Sequence, residues 1–173
     1  MIRKMLIAAL PFILSQAIFA DCQGIPYAGF GGGMRDNIKN TKSSRGIDGN
    51  VFAGYGAMFN PAVMIGGEVF FTPGNMPVNN NGLRTTYGVG LSFLSGLLIS
   101  DHTLAFMRVG FVNSHFTTGI KKSGGQLGLG LQTGLTQNWD LRAEYIYSAY
   151  GALKGIGAPK SDQAMMSLVY KFI

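Results

Sequence analysis

The stretch Gln126-Leu127-Gly128-Leu129-Gly130-Leu131-Gln132-Thr133-Gly134-Leu135 alternates small or polar residues with leucines, Thr133 alone excepted. Side chains along a strand have period two, so this run builds a sheet with one apolar face and one face of Gly and Gln. Five charges sit inside strand-like stretches, Glu68, Arg108, Arg142, Glu144 and Lys171, and all fall on the parity of the glycines and serines. A soluble barrel would turn its large apolar groups inward and its charges outward. Here the small polar face carries a handful of charges, as a narrow lumen requires, and the apolar face must look at lipid. The expected fold is all-β: an eight-stranded antiparallel transmembrane up-and-down β-barrel, turned inside out.

The totals agree with that reading. At 173 residues the chain has room for one domain. Only 13% of residues are charged while 47% are hydrophobic, against about 25% charged in an average soluble domain. Residues 1–20 read as a secretory signal peptide, leaving 21–173 as the barrel domain. Arg3 and Lys4 make the basic start, Met5 to Leu14 the apolar stretch, and cleavage is expected after Ala17 or Ala20. That stretch falls short of the roughly 20 residues a helical span needs. Cys22 is the single cysteine, so an internal disulfide is excluded. Asp21 stands where a lipidated cysteine needs a small neutral neighbour, so an incidental thiol is the better reading.

Eight strands can be laid out, over roughly Ile25–Met34, Asp48–Phe59, Ala62–Thr72, Thr85–Leu94, Thr103–Asn113, Gly125–Leu135, Leu141–Ala149 and Gln163–Phe172. Each is near the ~9–11 residues of a tilted membrane strand. Asn60-Pro61 predicts the tightest turn, since Pro cannot continue a ladder. Turns around Ser100-Asp101-His102 and Gln137-Asn138 are also short. Long connections are expected over Arg35–Ile47, Pro73–Arg84, Ser114–Gly124 and Tyr150–Asp162. Short turns belong to the periplasm, where both termini then lie. Trp139 falls at a periplasmic strand end on the lipid parity, a place for interfacial aromatics.

Several segments resemble the OmpA-like and opacity-protein group of small outer-membrane barrels. Phe52-Ala53-Gly54-Tyr55 through Asn60-Pro61 to Gly67-Glu68-Val69 is similar to that group's second hairpin. Phe106-Met107-Arg108-Val109-Gly110 resembles its fifth strand, and Leu141-Arg142-Ala143-Glu144-Tyr145 its seventh. The close, with Met166, Leu168, Tyr170 and Phe172 at alternate positions, resembles the terminal signal read by the barrel-assembly machinery, with Ile173 as a departure. The longer relatives' peptidoglycan-binding domain has no counterpart. The resemblance implies that lumen acids and bases pair into a network closing the barrel, with Glu68, Arg108, Arg142 and Glu144 on matching positions. Gln132 replaces an acid and Leu94 stands where a base is sought, so that network looks reduced. Elementary physics points the same way, because a dry unpaired charge is costly. Structural balance is therefore preferred to an ion pathway.

The layout also distributes the charge. Removing Arg3 and Lys4 from the 14 basic residues leaves 12 against 8 acidic ones, a net of +4. The lumen charges give +1, and Asp21, Asp101 and Asp140 give −3 on the periplasmic side. The long loops and their flanks hold the remaining +6, with Lys39, Lys42, Arg45, Lys121 and Lys122 as the expected extracellular-loop contacts. Such loops neutralise lipopolysaccharide phosphates, and can capture host glycans or acidic surface proteins. Nucleic acid is excluded as a natural partner by the secretory signal.

Catalysis is not expected. The two histidines are His102, in a turn, and His115. Ser114 and His115 are adjacent, which points them to opposite faces while the strand persists, whereas a nucleophile and its base need hydrogen-bond reach. No metal cluster, phosphate loop or cofactor motif is present, and Gly31-Gly32-Gly33 has no helix behind it. The reading is a Gram-negative outer-membrane surface barrel serving envelope integrity and adhesion or host-surface interaction. A small, mostly closed pore is the alternative, and a lipid-modifying enzyme a distant third.

Overall fold

The structure, a computed structural model, describes residues 24–39, 42–77, 84–116, 121–151 and 160–173. The expected signal segment, Cys22 and Lys154 lie outside the described residues. Eight strands follow one another: β1 (Gly24–Lys39), β2 (Lys42–Asn60), β3 (Val63–Pro77), β4 (Arg84–Ser100), β5 (Thr103–Phe116), β6 (Lys121–Gly134), β7 (Trp139–Tyr150) and β8 (Lys160–Lys171). Each pairs antiparallel with the next, and β1 pairs with β8, so the sheet closes into a barrel. Closure matters in lipid, where an unpaired backbone edge would find no partner.

The barrel is inside out. Phe111, Leu129, Leu131, Phe93 and Tyr145 are exposed on its outer face, and Arg108, Glu68, Arg142, Gln126, Ser148 and Gln163 are buried on its inner face. In β7 and β8 the two sets alternate strictly through most of each strand. In β5, where the sequence is apolar on both parities, Phe106, Arg108 and Val112 face in and Met107, Val109 and Phe111 face out. Luminal glycines make room for luminal aromatics of the neighbouring strands. A Cβ on Gly54 would overlap the Tyr27 ring, on Gly90 the Phe70 ring, and on Gly130 the Phe106 ring. The rings thus lie flat over the glycines and fill the narrow interior.

The periplasmic turns are tight. Asn60 Oδ1 accepts from Ala62 N at 2.9 Å and Val63 N at 2.8 Å, the local side-chain bond that lets Asn start a turn before Pro61. Trp139 stacks edge-on against Tyr170, and Tyr170 against Phe172, both at 5.0 Å, forming an aromatic girdle at this end. Phe71, Tyr87 and His115 cluster near the other end, with Tyr87 and His115 stacked at 4.3 Å.

The strands are longer on the outer side than the sequence reading allowed. β2 runs 19 residues and β1 16, and 19 residues at a ~45° tilt rise about 45 Å, against an apolar band of about 25 Å. The segment expected as a long loop over Arg35–Ile47 is instead a continuing ladder over its described residues, as far as Lys39 opposite Lys42. The sequence layout stopped each strand at the length that crosses hydrocarbon, but a hairpin keeps its backbone hydrogen bonds in water as well. Pro73 is carried within β3 by a register shift between Pro73 and Met76, a bulge that spares the ladder a missing donor. At the inner end Ala62 belongs to the turn, and Leu135 and Phe172 lie just past β6 and β8.

A closed ladder leaves no edge from which to unravel. The detergent-folded protein should therefore migrate differently unboiled and boiled on a denaturing gel. A single mobility under both conditions, or a water-soluble unboiled monomer, would contradict the architecture.

Candidate functional site

The middle of the lumen is a neutral cluster of two carboxylates and two guanidiniums. Glu68 on β3 accepts from Arg108 on β5 through Oε1 and from Arg142 on β7 through Oε2, the latter at 2.7 Å. Arg108 also donates to Glu144 and, at 3.3 Å, to Ser92 Oγ. Tyr27 OH donates to Glu68 Oε2 at 3.2 Å. All four charged side chains are at most 3% exposed. The Arg142 guanidinium lies over the rings of Phe52, Phe106 and Tyr27 at 4.7, 5.1 and 5.5 Å, and Arg108 over Phe70 at 5.7 Å. Aromatic faces attract a desolvated cation, so the rings that fill the lumen also hold its arginines.

Lys171 does not reach this cluster directly. It pairs with Asp140 at 2.7 Å near the periplasmic mouth. Asp140 accepts from Gln132 at 2.7 Å, and Gln132 accepts from Arg142 Nε at 2.9 Å. A chain of one ion pair and two hydrogen bonds thus runs Lys171–Asp140–Gln132–Arg142 into the centre, with Gln132 as its neutral link. Leu94 is fully buried and takes no part in a charge network.

A second tier lies towards the outer side. Arg35 pairs with Asp48 at 2.8 Å, and Gln163 accepts from Arg35 and donates to Asp48. Sequence reasoning missed this tier because it placed Arg35 in a loop and read Asp48 as flanking charge. Asp140 was likewise assigned to the periplasmic surface, although it shares the parity of Arg142 and Glu144, a signal that could have found it. The charge account changes accordingly. Arg35, Arg108, Arg142 and Lys171 balance Asp48, Glu68, Asp140 and Glu144, so the lumen is neutral rather than +1. The periplasmic side falls from −3 to −2, and the outer +6 is unchanged.

The five residues expected on extracellular loops all lie on strands. Lys39 and Lys42 occupy opposed ladder positions where β1 meets β2, and Lys121 and Lys122 open β6 opposite His115 and Ser114. Arg45 lies on β2 with its side chain 84% exposed, and donates to Asp36 at 3.2 Å. Asp36 and Asp162 are opposed across β1 and β8, and Tyr145 OH donates to Asp162 at 2.8 Å. Ser114 is buried against Tyr150 OH at 3.3 Å, whereas His115 stacks on Tyr87. The two side chains therefore engage different surroundings and do not form a nucleophile–base pair.

The model of the outer membrane protein beta-barrel domain matches residues 5–172. The chain belongs to that family. Its place is the outer membrane of a Gram-negative bacterium. No curated protein matches the sequence. Among solved structures, Neisserial surface protein A is similar at 16% identity and a TM-score of 0.61, over 85% of this chain and 97% of that one. Ail, the attachment invasion locus protein of Yersinia pestis, is similar at 19% identity and a TM-score of 0.56, over 86% and 99%. Ail in complex with the heparin analogue sucrose octasulfate matches at 19% identity and a TM-score of 0.53, over the same shares. At these identities the likeness concerns the fold.

Removing one partner from a buried pair leaves the other charge stranded, at a cost of about 3–5 kcal/mol. Glu68→Ala should accordingly lower the thermal and urea midpoints of the folded barrel sharply, since it takes the paired carboxylate from Arg142 and leaves Arg108 with Glu144 alone. Lys171→Ala, at the wetter mouth, should cost about 1 kcal/mol or less. Equal effects of the two changes on the melting of the heat-shifted band would refute this ranking.

Proposed function

We propose that this barrel is a surface protein that holds a cationic outer rim against polyanions, with lipopolysaccharide phosphates as its standing partners and sulfated glycans or acidic host surfaces as further ones. One observation carries the reading: Lys39 and Lys42 stand directly opposed at the end of the longest hairpin. Like charges at opposed positions disfavour the ladder, so the arrangement suits a site whose anion comes from outside. Among the described side chains of that hairpin, Arg35 pairs with Asp48 and Arg45 with Asp36. Lys121 and Lys122 add positive charge at the same end, on the β5–β6 hairpin across the barrel. Contact with polyanions gives the scaffold both a role in envelope integrity and a route to adhesion. The complex of Ail with a heparin analogue makes sulfated glycan the first ligand to try.

The role is binding rather than catalysis, because the sole adjacent Ser–His pair is split between two faces. A pore reading is weaker, because two tiers of paired charge cross the lumen. At the other end, Tyr170 and Phe172 form the aromatic close read by the barrel-assembly machinery.

The test reverses Lys39, Lys42, Lys121 and Lys122 to Glu and measures retention on heparin and on host cells. Wild-type binding should weaken steeply with salt, and the reversal should lower it by roughly an order of magnitude or more. The heat-shifted band should persist, because these positions lie above the apolar band. Arg45→Glu belongs in a separate variant, since it would set a third carboxylate beside Asp36 and Asp162. Wild-type binding that ignores both salt and the fourfold reversal would overturn the proposal.

A further inference from the structure

The inner face is closely filled through the middle of the barrel, where Phe52, Phe70, Phe106 and Ile146 are buried, and opens at the periplasmic mouth. There β2 to β5 contribute Met58, Met64, Leu98 and Leu104 to one wall of a cavity of about 530 Å³. Gln132, Asp140 and Lys171 form the facing wall. Met58 is 36% and Leu98 38% exposed, although both occupy luminal positions, so this apolar surface is left to water rather than to lipid. An exposed apolar surface inside a lumen whose other large apolar side chains are buried is the informative kind of exception. Above the cavity the buried Glu68, Arg108 and Arg142 bar the way, so it is blind and opens to the periplasm alone.

We propose that this vestibule binds a single-chain amphiphile with an anionic head group. The volume lies within the range of small-molecule sites, which are mostly apolar with a few placed polar groups. Methionines suit a flexible aliphatic chain, because their side chains adapt to irregular shapes. The interior of an eight-stranded barrel is wide enough for side chains or one small ligand, which excludes the surface of a folded partner. An extended peptide would leave its backbone groups unpaired along the Met and Leu wall. An alkyl chain meets neither obstacle.

The sign of the head group follows from which charge is accessible. The Asp140 carboxylate is 8% exposed, ion-paired with Lys171 through Oδ1 and accepting from Gln132 through Oδ2. The Lys171 side chain is 24% exposed, and an ammonium has three donors, of which the Asp140 contact uses one. A carboxylate or phosphate at the mouth therefore completes the Lys171 coordination, whereas a cation would have to displace it. Asp101 and His102 also border the cavity, but on an exposed turn where salt screens their charge.

The test uses the folded barrel in lipid nanodiscs, labelled by a twelve-carbon fatty acid that carries a photoreactive diazirine, and in parallel by the corresponding amine. Adducts are mapped by peptide mass spectrometry. The proposal expects the acid to label Met58, Met64, Leu98 or Leu104, and laurate to compete better than dodecylamine. Lys171→Gln should reduce acid labelling there by about tenfold, the worth of one hydrogen bond to a charged group, and leave amine labelling unchanged. Met64→Gln, checked for folding by the heat-shifted band, should reduce labelling by both. Adducts confined to lipid-facing residues such as Leu97 and Leu131 would overturn the site. Vestibule labelling that is equal for acid and amine, or indifferent to Lys171, would overturn the anionic head group.

Discussion

Two carboxylates and two guanidiniums share the dry centre of the barrel, and the remainder of the fold is arranged around their neutrality. An ion in that position costs several kcal/mol unless its partner is present. The partners come from β3, β5 and β7, which are not neighbours in the sheet, so the ion pairs tie walls that no ladder connects. They also fix register. A slip of one residue in any of these strands would turn its charge to lipid and a Leu, Val or Tyr into the lumen. The aromatic rings over the luminal glycines complete the arrangement, since they pack the interior and face the arginine cations at once.

Because charge is neutralised inside in pairs, the surplus has to stand elsewhere. The outer face of the band is apolar and bounded by aromatic clusters, Trp139, Tyr170 and Phe172 at one end and Phe71, Tyr87 and His115 at the other. Among the described residues, the basic ones that remain lie on strand extensions above the membrane. The stability of the barrel and the proposed contact with polyanions therefore reside in separate parts of the molecule.

Much of this was legible in the sequence, for a physical reason. Where one face meets lipid and the other a narrow lumen, every position has a sharp preference, and Gln126–Leu135 displays it residue by residue. The charged positions Glu68, Arg108, Arg142 and Glu144 could be assigned to the lumen by parity alone. What period two does not give is where a strand stops. Above the membrane both faces are wet and the preference fades, so period two leaves Arg35 and the lysines of β1, β2 and β6 in loops and Asp48 at a strand end. Nor does parity give the partner across the lumen: Gln132 as a link between Arg142 and Asp140, and Tyr27 on Glu68, depend on the curvature of the closed sheet. Asp140 was within reach, since it shares the parity of Arg142, but its place next to a turn hid it.

The central claim is that paired charge shuts the lumen, so that the protein acts through its surfaces and not by conduction. The most direct measurement is the single-channel current of the wild-type protein reconstituted in a planar bilayer, with fold verified by the heat-shifted band. The account predicts a baseline without discrete steps across moderate voltages. Stable, reproducible ion-conducting steps from the folded wild-type barrel would contradict it.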